Sequence, residues 1–154
     1  MYVTLLVIHS LLRWIVLVAA VIAIARAWSG WTAGRAWTAV DDRVGRQFLL
    51  FFDLQFLVGL LLYAVFSPLT RAAFTDFGAA MRDSVLRFFA VEHIFGMVVA
   101  LALAHIGRGR LRRLTDDTAR HRTMAIFFTL ALVIMLVTIP WPFMPAGRPY
   151  FRGF

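Results

Sequence analysis

Four apolar runs, each about as long as the ~20 residues a helix needs to cross a bilayer, constrain this chain more than anything else in it. They lie at about residues 3–25, 47–66, 86–106 and 123–140. Hydrocarbon offers the backbone no hydrogen-bond partner, so each run is expected to be helical. Little is left between them for a soluble domain. The expectation is therefore one all-α domain over 1–154, an integral membrane four-helix bundle of up-and-down topology. Composition agrees: 62% of residues are hydrophobic and mean hydropathy is +0.81. The first run has no basic leader and carries Arg13 at its centre. It reads as a retained helix rather than a signal peptide, although Ala23-Ile24-Ala25 imitates a cleavage site.

The punctuation between the runs is local and specific. Ser67-Pro68 ends the second run, and Asp83-Ser84 can cap the third. Phe74, Phe77 and Met81 recur at helical spacing, which predicts a short interfacial helix at about 70–81. Pro140 ends the fourth run and opens an aromatic, proline-rich tail. Helices 1 and 3 then run in the same direction.

All sixteen basic side chains are arginine and no cysteine is present. Disulfides, thiolate metal sites and cysteine nucleophiles are thereby excluded. A net charge of +8 does not argue for nucleic acid, because the arginines fall in membrane-flanking loops rather than on a folded polar face. Arg26, Arg35, Arg43, Arg46, Arg108, Arg110, Arg112, Arg113, Arg120 and Arg122 crowd one side of the bundle. Arg71, Arg82, Arg87, Arg148 and Arg152 are on the other. The positive-inside bias assigns the first side to the cytoplasm and both termini to the exterior.

The polar residues inside the apolar runs carry what functional signal there is. His9 and His93 sit at similar depth, on helices 1 and 3. Two imidazoles from facing helices are an arrangement that can hold a b-type haem, one nitrogen from each ring on the iron. Gly96, three residues after His93, would leave room for a flat ring, and Phe89 could pack on it. The plainer reading is that each histidine hydrogen-bonds a neighbouring helix. Arg13, one turn below His9, needs a partner in the membrane. Glu92 is the favoured one and Asp53 the second. Glu92 and His93 are ~100° apart around their helix, so Glu92 would flank a haem rather than ligate it. Asp53 and Gln55 point to different faces. His105 and His121 are expected at the wet interface, with His121 beyond the hydrocarbon. No phosphate loop, H-E-x-x-H or G-x-S-x-G motif occurs.

Several stretches together resemble a family: His9-Ser10-Leu11-Leu12-Arg13-Trp14, Asp53-Leu54-Gln55, Gly59-Leu60-Leu61-Leu62-Tyr63, Arg87-Phe88-Phe89-Ala90-Val91-Glu92-His93 and Ile139-Pro140-Trp141-Pro142-Phe143. The chain is similar to small four-helix bacterial membrane proteins labelled cytochrome B or cytochrome b561-like. That resemblance implies a multi-pass protein of the bacterial cytoplasmic (inner) membrane with haem b on His9 and His93, the site flanked by Arg13, Glu92 and Gly96. It would exchange electrons with quinol or a partner redox protein, near the outer face, as an electron-transfer component rather than a stand-alone enzyme. The alternative is a cofactor-free accessory subunit of a larger membrane complex, whose polar residues serve only helix packing.

Overall fold

The computed structural model describes residues 1–151 and contains helices without any strand among them. The elements are α1 (Tyr2–Thr32), α2 (Ala39–Phe66), α3 (Pro68–Thr75), α4 (Phe77–Ala80), α5 (Ser84–Leu111) and α6 (Asp117–Thr138). The last turn of α2, Leu62–Phe66, and a turn within α5, Phe88–Glu92, are wound as π-helix. α1 packs against α2 and α6, and α5 against α6 and α2, which closes a four-helix bundle of antiparallel neighbours. All four long helices are apolar enough to span a membrane. This is a multi-pass membrane protein.

The helices overrun the hydropathy limits where capping chemistry extends them. α2 starts at Ala39, ahead of the apolar run, because Thr38 and Asp41 form a reciprocal capping box. α1 continues to Thr32 and is turned off at Gly34, whose φ of 60° only glycine adopts cheaply. α6 begins at Asp117, where the Asp116 carboxylate accepts from Ala119 N at 2.6 Å. It stops at Thr138 because Ile139 precedes a proline and is extended, with φ −73° and ψ 132°. The expected interfacial helix at 70–81 is two pieces. Asp76 breaks it with φ −140° and caps α4 by accepting from Ala79 N at 2.9 Å. Asp83 caps α5 through Val85 and Leu86.

Small residues make close helix approach possible. Ala20, Ala23, Ala27, Ala100, Ala104, Ala125 and Ala131 are fully buried between helices, with Phe48, Phe52, Met124 and Phe128 filling the centre. Leu50, Leu54, Leu57, Val98, Val133 and Val137 instead face outward, as expected of a surface solvated by lipid. At the arginine-rich end Asp41, completely buried, accepts from Arg26 and Arg35. Asp42 bridges Arg46 and Arg108.

The bundle is not of even height. Trp141, just beyond α6, packs on Trp14 of α1 with ring centroids 6.3 Å apart. The Trp141 indole folds back to donate to Leu136 O at 2.7 Å, so Trp14 lies level with the last turn of α6 and the N-terminal part of α1 reaches past it. The tail turns back over this step, with Phe151 stacked on Trp14 at 5.5 Å.

Candidate functional site

At that step lies a cavity of about 150 Å³. α1 contributes His9 and Arg13, α2 Gln55 and Gly59, α5 Phe89, His93 and Met97, α6 Met135, and the tail Arg148. His9 and His93 come together across it, ring centroids 6.4 Å apart and planes at 75°. The π-helical turn directly before His93 takes its N–H back to Phe88 O, five residues away, and sets the direction in which the imidazole leaves α5. His93 Nδ1 lies 2.7 Å from Thr138 O. A carbonyl can only accept, so Nδ1 is the protonated nitrogen and Nε2 keeps its lone pair. On the other side, the Gln55 amide donates to His9 O at 3.0 Å and meets His9 Nε2 at 3.2 Å. His9 Nδ1, Arg13 Nε and Gln55 Oε1 are all buried without a partner among the described residues. All three residues line this one cavity.

Three expectations about the surroundings of the histidines need correcting. Glu92 does not meet Arg13. It lies on the bundle surface in an ion pair with Arg87 at 2.7 Å and takes no part in lining the cavity. The π-helical turn that directs His93 inward turns its neighbour outward. Arg13 instead donates to the backbone carbonyl of Tyr150 at 2.5 Å, which Trp14 Nε1 shares at 3.0 Å. Gly96 opens no space for a ring: a Cβ there would lie 2.3 Å from Thr138 Cγ2, so the glycine serves the α5–α6 contact. The glycine that matters to the site is Gly59, where a Cβ would come within 2.9 Å of His9 Cε1. Its place four residues after Gln55, and so on the same helix face, was the available sequence signal.

The remaining polar residues fall elsewhere. Asp53 and Gln55 do take different faces of α2: Gln55 turns inward to His9, and Asp53 turns outward to His105 at 2.8 Å. Both members of that outer pair are about half exposed, at 41% and 50%. His121 is not wet. It is completely buried, wedged against Trp37 at 4.9 Å and under Gly30, where a Cβ would sit 2.3 Å from the ring. Neither of its nitrogens has a partner. Arg152 lies outside the described residues.

No family model matches the chain. Neither curated proteins nor solved structures provide a match. What the site can do must be argued from its donors. Among the described residues no three His, Cys, Asp or Glu side chains converge as a metal site. A bare ion seeks about four protein ligands. Two opposed imidazoles in an apolar cavity suit a metal that brings its equatorial ligands with it.

Proposed function

We propose that this chain is a membrane electron-transfer protein that holds one b-type haem between α1 and α5, with His9 and His93 as axial ligands. The observation that carries the reading is the facing of these two imidazoles across a cavity, 6.4 Å between centroids. About 2 Å for each metal–nitrogen bond, plus the radius of each ring, gives ~6 Å. The donor set fits as well. The Thr138 carbonyl fixes the His93 tautomer that leaves Nε2 free, as outer partners of ligating histidines commonly do. His9 Nδ1 has no partner among the described residues, while the Gln55 amide donates to the Nε2 lone pair, so ligation through Nε2 requires that amide to turn away. The resemblance to small bacterial cytochrome b-like proteins points the same way. At ≈ 150 Å³ the cavity is smaller than a porphyrin. The reading therefore requires the wall made by Pro140, Arg148 and Pro149 to move outward on binding.

The haem would supply a one-electron Fe(III)/Fe(II) couple. The chain's own part is to orient two imidazoles, exclude water with Phe52, Phe56, Met97 and Met135, and set the local field through Arg13. Quinol or a partner redox protein would be the exchange partner. The positive-inside bias places the site toward the outer face of the bacterial cytoplasmic membrane, with both chain ends outside. Purified protein should show a Soret band and, as a six-coordinate iron, should not take up carbon monoxide when reduced. His9→Ala or His93→Ala should lose the haem or bind carbon monoxide, whereas His105→Ala should leave the spectrum unchanged. Colourless protein that gains no Soret band when haem is added sinks the proposal.

One observation favours the accessory-subunit reading. The Asp53–His105 pair is half exposed on the outside of the bundle. Asp53 lies eleven residues along α2 from Asp42 at the arginine-rich end, roughly 16 Å up a ~30 Å slab. Polar groups at that depth rarely face lipid, and a partner helix covering them would relieve the cost. Under this reading Asp53→Leu should release a co-purifying membrane subunit, and a haem spectrum would be absent.

A further inference from the structure

Arg13 and Arg148 both line the histidine cavity, and among the described residues no carboxylate does. Among the described residues Arg13 has only a peptide carbonyl, shared with Trp14, and its buried Nε has no partner. The Arg148 guanidinium lies over the Phe89 ring, Cζ 4.8 Å from the centroid, with no hydrogen bond or ion pair from its side chain among the described residues. Among the described residues no carboxylate is left over for them, because each of the eight acidic side chains is engaged elsewhere. Asp41, Asp42 and Glu92 pair with arginines, Asp53 with His105, and Asp117 with Arg120. Asp76, Asp83 and Asp116 cap helices. Arg13 and Arg148 are each only partly buried, and a carbonyl dipole or a ring face is a weaker partner for such a cation than a hydrogen-bonded carboxylate.

We propose that Arg13 and Arg148 form the anchor for carboxylates carried by the ligand of this cavity. This rests on the haem reading and deepens it. The ligand is a planar apolar body whose one acidic edge is turned toward the tail and Arg13. Guanidinium suits the task because its planar fork meets a carboxylate through two hydrogen bonds.

The test compares two probes on purified apo-protein: haem, with its two free propionates, and haem dimethyl ester, in which they are masked. Absorbance titration should show the diacid binding roughly 10- to 100-fold more tightly, as expected for one or two charge-assisted bonds. Arg148→Gln, a residue of the tail outside the helices, should shrink the preference for the diacid, read as the ratio of the two affinities, while leaving the Soret position unchanged. Arg13→Gln should do the same more strongly. Equal affinity of wild-type protein for both probes overturns this inference alone. Binding of neither removes the histidine reading and this inference with it.

Discussion

The two ends of the bundle both set partly buried arginines near other polar groups, and they treat them oppositely. At the arginine-rich end Asp41 accepts from Arg26 Nε at 3.0 Å, from both terminal nitrogens of Arg35 at 3.0 and 2.9 Å, and from the Thr38 amide and hydroxyl at 2.9 and 2.5 Å. The hydrogen bonds to Asp41 hold the Arg35 guanidinium above its ordinary pKa. At the histidine end Arg13, His9 and Gln55 each leave a buried polar atom unpaired around a cavity. The first arrangement is closed and serves the fold. The second is costly unless something enters it, which is why it marks a site. His121 also has unpaired nitrogens, but it is packed solid under Gly30 instead of facing open space.

The comparison breaks first at Asp41. Asp41→Ala should lower stability by about 3 kcal/mol, the low end for a broken buried pair, because Arg26 and Arg35 are each about a third exposed and stay partly hydrated. Thermal unfolding in detergent measures it, and a harmless Asp41→Ala would mean the two ends do not differ as described. Glycine substitutions sharpen the contrast between solid and hollow packing. Gly30→Ala should cost ~1–3 kcal/mol by driving a methyl into His121, with recovery in the Gly30→Ala/His121→Ala double variant. Gly59→Ala meets only the edge of His9, which can shift into the cavity, and should cost less than ~1 kcal/mol. The smallest effect belongs to Glu92. Its pair with Arg87 is nearly half exposed on both sides, so Glu92→Gln should change stability by no more than ~0.5 kcal/mol. It should also add independently to Arg13→Met. Measurable coupling between those two would restore the ion pair that the structure does not contain.

The number of spans, the stop at Ser67-Pro68, the cap at Asp83 and the stop before Pro140 were legible because each rests on a few adjacent residues. The meeting of His9 and His93 was legible from their matched depth on helices running the same way. The partner of Arg13 was not, since a backbone carbonyl at Tyr150 has no side-chain signature. Nor was the azimuth of Glu92, because the π-helical turn at Phe88–Glu92 adds a residue to the winding that a 3.6-residue period does not foresee. His121 was misjudged as wet for a related reason: the Asp116 cap starts α6 well before its apolar run, so the ring is enclosed by Trp37 and Gly30.

The carbonyl that receives His93 is available because of the residues that follow it. In a continuing helix Thr138 O would bond to the N–H of residue 142. That residue is Pro142, which has none, and Pro140 has already ended the helix. Two prolines thus leave one acceptor vacant, and an imidazole 45 residues upstream fills it. The choice of which His93 nitrogen carries the proton is, in this sense, written in the tail: a residue with an amide hydrogen at 142, if α6 were allowed to lengthen, would compete for the same oxygen and free the ring to change tautomer.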